Sequence, residues 1–487
     1  MLTHTANEDD SRFSFWRRVR EYAVPPSMIE TATARRLAGD WAGACAAANV
    51  EVDFRLRDVS RTHGRQLADR VREDLRRLAP DLLRWHLPRT APDGLLRAGL
   101  TVPLARYPAE RPVHLVVRTP PAWAEYGQRI SLALWDGSDP SSDPNSGPGP
   151  GSAPHPRPRP SRRYRLDLHR HLWDADRSGE LALRAAADPL TGLPDCAADP
   201  PTGLPVTGVG PRGLRLAVDR WAAEAELLLR AEGLPPGPVA VRLGRHRRLV
   251  LRPGTGTGTS TSTSTSTSTS VEDATGDVRA LPLLPDAATW VPPDVDLLRS
   301  GAITPDRLHP LVAAALAPGH RAEAQPQPPP GHRVVECRGA RHRIAVIDGK
   351  LTAIDHDPAQ LRREELLVAL SGTPLPCLRA IDQAHREPAE LAGVRERLNH
   401  GDTAGALAVL EGLLGPRAAL RDGPLRDELA AAAERRVAYG LYRSGLTLDR
   451  RARAVEAMTS YELYRFGRSR YQRRGYPFPR PPRLATR

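Results

Sequence analysis

The chain has 487 residues, 40% of them hydrophobic, and a formal net charge of +13. That length exceeds one ordinary core, and the apolar content supplies two or three, which excludes a wholly disordered chain. Lys350 is the only lysine among 70 basic residues, a skew that a GC-rich coding sequence produces by itself, so the high isoelectric point is weak evidence for nucleic acid.

Where the charge sits says more. From Glu434 to Arg487, fourteen arginines face four acidic residues, a local charge of +10, and six of the ten tyrosines lie in the same stretch. The four cysteines, Cys45, Cys196, Cys337 and Cys377, form no C-x-x-C pair, which argues against a disulfide framework and against a zinc ribbon. Glu8, Asp9, Asp10 and Pro25-Pro26 interrupt the stretch where a signal peptide needs apolar residues. No window approaches the roughly 18 apolar residues of a membrane span, so a cytoplasmic protein without membrane insertion is expected.

In chain order, Phe13, Phe15, Trp16, Val19 and Tyr22 give a short helical pattern, and an alanine-rich helical run over 28–50 breaks at Gly39-Asp40. Over 65–87 the apolar residues Leu67, Val71, Leu75, Leu78, Leu82 and Leu83 recur mostly at spacings of three and four, predicting an amphipathic helix bent or broken near Pro80. Strands are predicted at 100–105, 113–117 and 130–135, and again at 164–172, where Leu166, Leu168 and Leu172 alternate with His169 and His171. The Gly/Ser/Pro stretch 137–160 and the Thr/Gly/Ser tract 254–270 are too poor in apolar side chains to offset ordering entropy. A helix surrounds Trp221 over 214–231. Strands over 333–356 precede helices at about 357–370, 387–399, 402–414, 425–439 and 448–470.

Two internal echoes stand out. Gly244-Arg-His-Arg-Arg-Leu-Val-Leu resembles Gly339-Ala-Arg-His-Arg-Ile-Ala-Val; the later copy turns at Asp348-Gly349, a type I′ hairpin signal, and the earlier one carries the Thr/Gly/Ser tract at that place. A duplicated hairpin module with one swollen loop accounts for both. The second echo pairs Gly39-Asp40-x-Ala42-Gly43-Ala44 with Gly401-Asp402-x-Ala404-Gly405-Ala406. Glycine in the left-handed position ends one helix and aspartate caps the next. This resembles the helix junction of tetratricopeptide hairpins, without the period of about 34 residues that an array shows.

Chemical motifs are sparse. Asp174, Asp176, Ser178, Gly179 and Glu180 imitate part of a calcium loop, but Ala185 stands where a bidentate glutamate belongs, so an Asx-rich turn joining two strands is expected. His169 and His171 with Asp174 have metal-ligand types but fit the solvated face of a strand. Cys337 and Cys377 are expected to be small buried apolar residues, and His246 and His342 structural. No nucleophile motif or phosphate cradle occurs. At the C-terminus Tyr461, Tyr464, Arg468 and Tyr471 would share one helical stripe, expected to pack on the protein's own body with the Pro/Arg end as an extended strap over it or over a partner; Arg465, Arg468, Arg470, Tyr471, Arg473 and Arg474 are the candidate contacts to a partner or to nucleic acid.

The expected fold is α+β: a helical region at 1–95, a β-rich segment at 96–136, a disordered insertion at 137–160, and an α+β portion at 161–324 with a loop at 253–276. A Pro-rich linker at 325–331, a β-hairpin followed by helical hairpins at 332–449, and a basic aromatic helix and tail at 450–487 complete it. The expected function is a non-catalytic interaction or scaffold protein with a protein partner. Nucleic-acid binding through the C-terminus is the alternative and an enzyme of unrecognised type the third reading; neither cofactor nor metal is expected.

Overall fold

The computed structural model describes residues 3–137, 155–185, 215–244, 247–252, 270–274, 278, 280–320, 333–337, 339–371 and 375–445. The Thr/Gly/Ser tract at 253–269, the linker and the basic aromatic segment 450–487, with all six candidate contact residues, lie outside them. The chain opens with helices α1 (Thr3–Tyr22), α2 (Pro26–Leu37) and α3 (Trp41–Ala47), strand β1 (Val50–Val52), and helices α4 (Leu56–His63), α5 (Arg65–Arg77) and α6 (Pro80–His86). A small hairpin, β2 (Arg89–Thr90) and β3 (Leu95–Leu96), leads into β4 (Thr101–Tyr107), β5 (Val113–Arg118) and β6 (Ile130–Trp135). Then come α7 (Glu180–Arg184), α8 (Trp221–Glu232), β7 (Val239–Arg242), β8 (Arg248–Arg252), β9 (Ser270–Asp273), α9 (Asp286–Thr289), α10 (Pro293–Arg299) and α11 (Pro310–Leu316). Strands β10 (Arg333–Cys337), β11 (Ala340–Ile347) and β12 (Lys350–Ala353) precede α12 (Pro358–Ser371), α13 (Pro376–Arg386), α14 (Leu391–His400), α15 (Thr403–Leu414) and α16 (Pro424–Arg443). The fold is α+β, with helices at both ends and sheets between.

Much of this follows from local chemistry. The apolar stripe of the 65–87 region buries Leu67, Val71, Leu75, Leu82 and Leu83, and the chain breaks between α5 and α6 because Pro80 takes the first helical position, where no N–H is required. Six other helices, α2, α10, α11, α12, α13 and α16, also open on a proline. Both Gly-Asp junctions are built alike. Gly39 and Gly401 have φ of 78° and 88°, and Asp40 and Asp402 accept from Gly43 N and Gly405 N at 2.8 and 2.9 Å. Each capping aspartate also pairs with an arginine five residues earlier, Arg35 and Arg397.

The central sheet has the order β1-β6-β5-β4, with β1 parallel to β6 and the other pairs antiparallel. Both echoed segments run into the middle strand of a three-stranded antiparallel sheet, β8 of β7-β8-β9 and β11 of β10-β11-β12, with residues 245 and 246 outside the described residues. Asp348 and Gly349 both have positive φ, 50° and 74°, as a type I′ turn demands.

The segment 164–172 is not a strand. Only Ser161 N and Asp167 N reach β4, bonding the carbonyls of Thr101 and Pro103, and the chain then winds into a 3-10 turn at Arg170–Leu172. Tertiary contacts override the alternation: Arg165 grips Asp167 through two bonds of 2.8 Å, which curls the backbone, and His169 Nδ1 meets its own Arg165 carbonyl at 2.8 Å. His169 and His171 are consequently buried, not solvated. Asp174 does make the Asx turn, accepting from Asp176 N, but it joins two 3-10 turns rather than two strands. Residues 138–154 of the expected insertion lie outside the described residues; where the description resumes, His155 is buried, its Nε2 2.9 Å from the Thr119 carbonyl, and Pro156, Arg157 and Arg159 are exposed.

Hydrophobic clusters divide the chain differently from composition. The first core joins α1 to α6, the central sheet, 164–185 and, from far along the chain, α10 and α11. A second core packs α8 and α9 on the β7-β8-β9 sheet around Trp221. A third unites α14, α15 and α16, and a small fourth lies between the β10-β11-β12 sheet and α13.

Burial holds several histidines neutral. His86 is lowered to about 4, and His155, His171 and His400 are also lowered, in each case chiefly because burial penalises the imidazolium. The unfolded chain binds these protons near pH 6.5 and the folded chain only at lower pH. Stability is therefore complete above about 6.5 and declines as the pH falls from there toward 4. For His86 alone this amounts to on the order of 3 kcal/mol across that window. Denaturant unfolding followed from pH 7.5 to 4.5 should show the loss starting above the carboxylate range; a flat profile down to pH 5 would contradict it.

Candidate binding cleft

A concavity of about 560 Å³ lies where the first core meets α8 of the second. Three elements build it. On α5, Leu67, Val71 and Leu75 face the core, which leaves Arg70, Glu73 and Arg77 on the outer face, with Asp74 at its edge. On β4 a register shift between Pro103 and Ala105 re-aims the strand end, burying Tyr107 and exposing Arg106. The wound segment 165–170 supplies Arg165, Asp167 and Arg170.

Each carboxylate in the lining is already engaged. Asp74 accepts from the Tyr107 hydroxyl at 2.6 Å and from Arg170. Arg170 also holds Asp174 at 2.9 Å, its guanidinium 4.4 Å from the Trp173 ring centroid. Arg165 bridges Asp167 and Glu232, and Arg77 pairs with Glu73. Burial and the adjacent Asp74 push the Tyr107 phenol well above its ordinary value, so it remains a hydrogen-bond donor and not a base. Two guanidiniums remain. Arg106 makes one 3.3 Å bond to the Ala231 carbonyl, and Arg70 has no ion-pair or hydrogen-bond partner among the described residues. The cleft thus presents two cationic groups without counter-ions over a wall of satisfied pairs.

The buried histidine–carboxylate pairs elsewhere serve structure. His309 Nε2 lies 2.9 Å from Asp81 Oδ2 while its Nδ1 accepts from Leu311 N at the start of α11, so both ring nitrogens are engaged. His169 meets Glu224 at 3.2 Å in company with Arg184. Cys45 is buried, which pushes its thiol up to about 12 and leaves it unreactive. Cys337, His356 and Cys377 come together beneath the β10-β11-β12 sheet; they are the described residues that suit a metal ion. Sequence reasoning found neither grouping, since Arg70 and Arg106 sit on different elements and the cysteines have no local spacing signal.

Fold and cleft together define an α+β protein with a cationic groove at the junction of two cores. Compared with known families, with characterised proteins and with solved structures, the chain finds no match. No helix among the described residues is long and apolar enough to cross a membrane.

Proposed function

We propose that this chain is a non-catalytic interaction protein of the cytoplasm that seats an acidic segment of a protein partner in the cleft between α5, β4 and the 165–170 segment. One observation carries the reading: the carboxylates of the cleft are tied to arginines or to Tyr107, leaving no free base, while Arg70 and Arg106 are left to receive anionic groups. A charge-assisted hydrogen bond contributes about 1.5–3 kcal/mol, so each arginine supports roughly tenfold or more in affinity.

The test uses the full chain, a Glu-rich peptide and a single-stranded oligonucleotide as separate probes. Arg70→Glu with Arg106→Glu is expected to weaken peptide binding about 100-fold or more while leaving the thermal midpoint within a few degrees, since neither side chain holds the fold. Peptide binding indifferent to the double change would refute the proposal. Oligonucleotide binding that survives it, with a steep salt dependence, would instead favour the nucleic-acid reading of the C-terminal arginines.

A further inference from the structure

The fourth core is too small to hold its elements by apolar burial alone. Its buried members are Cys337, Ala353, Leu375 and Cys377, so two of the four are cysteines. Pairing in the sheet sets Cys337 opposite Ala340, Val335 opposite His342, and Ile344 opposite Ala353, which puts Cys337, His342, Ile344 and Ala353 on one face. Helix α13 covers that face, carrying Cys377 in its first turn. His356 enters from the turn after β12. One sulfur each from Cys337 and Cys377 and one ring nitrogen of His356 lie within 4.8 Å of one another.

Those groups have the chemistry of a cation site. A tetrahedral zinc ion with bonds of about 2.0–2.3 Å separates its ligand atoms by about 3.3–3.8 Å, within a small side-chain adjustment of the spread observed here. Two thiolates cancel its charge, which lowers the cost of burial, and a sulfur-rich set with one imidazole selects zinc over magnesium or calcium. A purely apolar role for the cysteines explains their burial but not the imidazoles gathered beside them. The ring of His342 stacks on that of His356, centroids 3.9 Å apart and planes 15° from parallel, and its Nδ1 is buried with no partner in the protein.

We propose that Cys337, Cys377 and His356 bind one zinc ion that staples α13 to the β10-β11-β12 sheet, with His342 positioning His356 by stacking. Small cores commonly need such a staple. The site lies apart from the cationic cleft and does not depend on its function.

The experiment measures metal on the tag-free full chain by native mass spectrometry and elemental analysis. One zinc per chain is expected, and cobalt substitution should give thiolate charge-transfer and tetrahedral ligand-field bands. Cys337→Ser, Cys377→Ser and His356→Phe should each weaken binding by more than about tenfold, whereas Cys45→Ser and Cys196→Ser retain the full equivalent. Should the cysteine variants fail to fold, thiol modification of the unaltered protein reads the same point: it must release zinc in stoichiometric amount to a chromophoric chelator. A chain that takes up no zinc with both thiols free, or that carries a Cys337–Cys377 disulfide, overturns the proposal. Zinc retained in His356→Phe but lost in His342→Phe overturns the ligand assignment.

Discussion

Replacing Asp294 by alanine is expected to destabilise the protein by about 3–5 kcal/mol, the cost of leaving a buried charge unpaired. Asp294 sits at the start of α10 with 1% of its surface exposed, and its partner Arg20 comes from α1, 274 residues earlier in the chain. Arg20 Nε and Nη2 meet the two carboxylate oxygens at 2.6 and 2.9 Å, and Nη1 donates to the Trp85 carbonyl at 2.8 Å. The Trp85 indole N–H donates to the same carboxylate at 3.1 Å, with the guanidinium 4.3 Å from its ring centroid. Every group in the knot serves another, so removing the carboxylate strands a guanidinium and an indole N–H together. The double change Arg20→Met with Asp294→Leu should recover much of the loss, because it removes both charges. Equilibrium denaturation of the full chain tests this; a single-variant loss below about 1 kcal/mol would show the knot to be solvated.

Gly401→Ala should cost about 2–5 kcal/mol, combining roughly 1–2 for a left-handed alanine with about 1–3 for overpacking. Gly401 has φ of 88°, and a Cβ there would stand 2.1 Å from the carbonyl oxygen of Gly127. The contact is the place where the C-terminal helices sit on the first core. Around it Arg84, fully buried, donates to the carbonyls of Gln128 and His400, Trp123 meets Tyr442 edge to face at 5.7 Å, and Arg443 bonds Asp53. Hydrogen exchange should show protection lost in α14 to α16 before the central sheet. Gly412→Ala is the control: nothing lies within 4 Å of a Cβ there, and in the last turn of α15 the change should stabilise by at most about 1 kcal/mol. Equal effects at the two glycines would disprove the close-approach argument.

Arg20 and Asp294 show how little of such a site is legible in advance: 274 residues separate them, and nothing in either neighbourhood marks the other. The cationic cleft has the same character, for α5, β4 and the 165–170 segment meet only through the first core. The Cys337, His356 and Cys377 cluster is another case, because its ligands lie on three elements and lack the tight spacing of a knuckle.

What the sequence determined by itself was whatever a few neighbouring residues decide. The stripe of α5 and α6 with its break at Pro80, the strands β4 to β6, the paired Gly-Asp junctions and the Asp348-Gly349 turn all follow from periodicity, capping and permitted φ. Helices α10, α11 and α13 escaped the same reading because their opening prolines also mark loops, and proline suits both. Only the tertiary structure decided that 164–172 winds where its alternation suits a strand, that β1 runs parallel beside β6, and that α10 and α11 return to the first core. Each outcome depends on which distant backbone or charge is within reach, and local sequence carries no record of that distance.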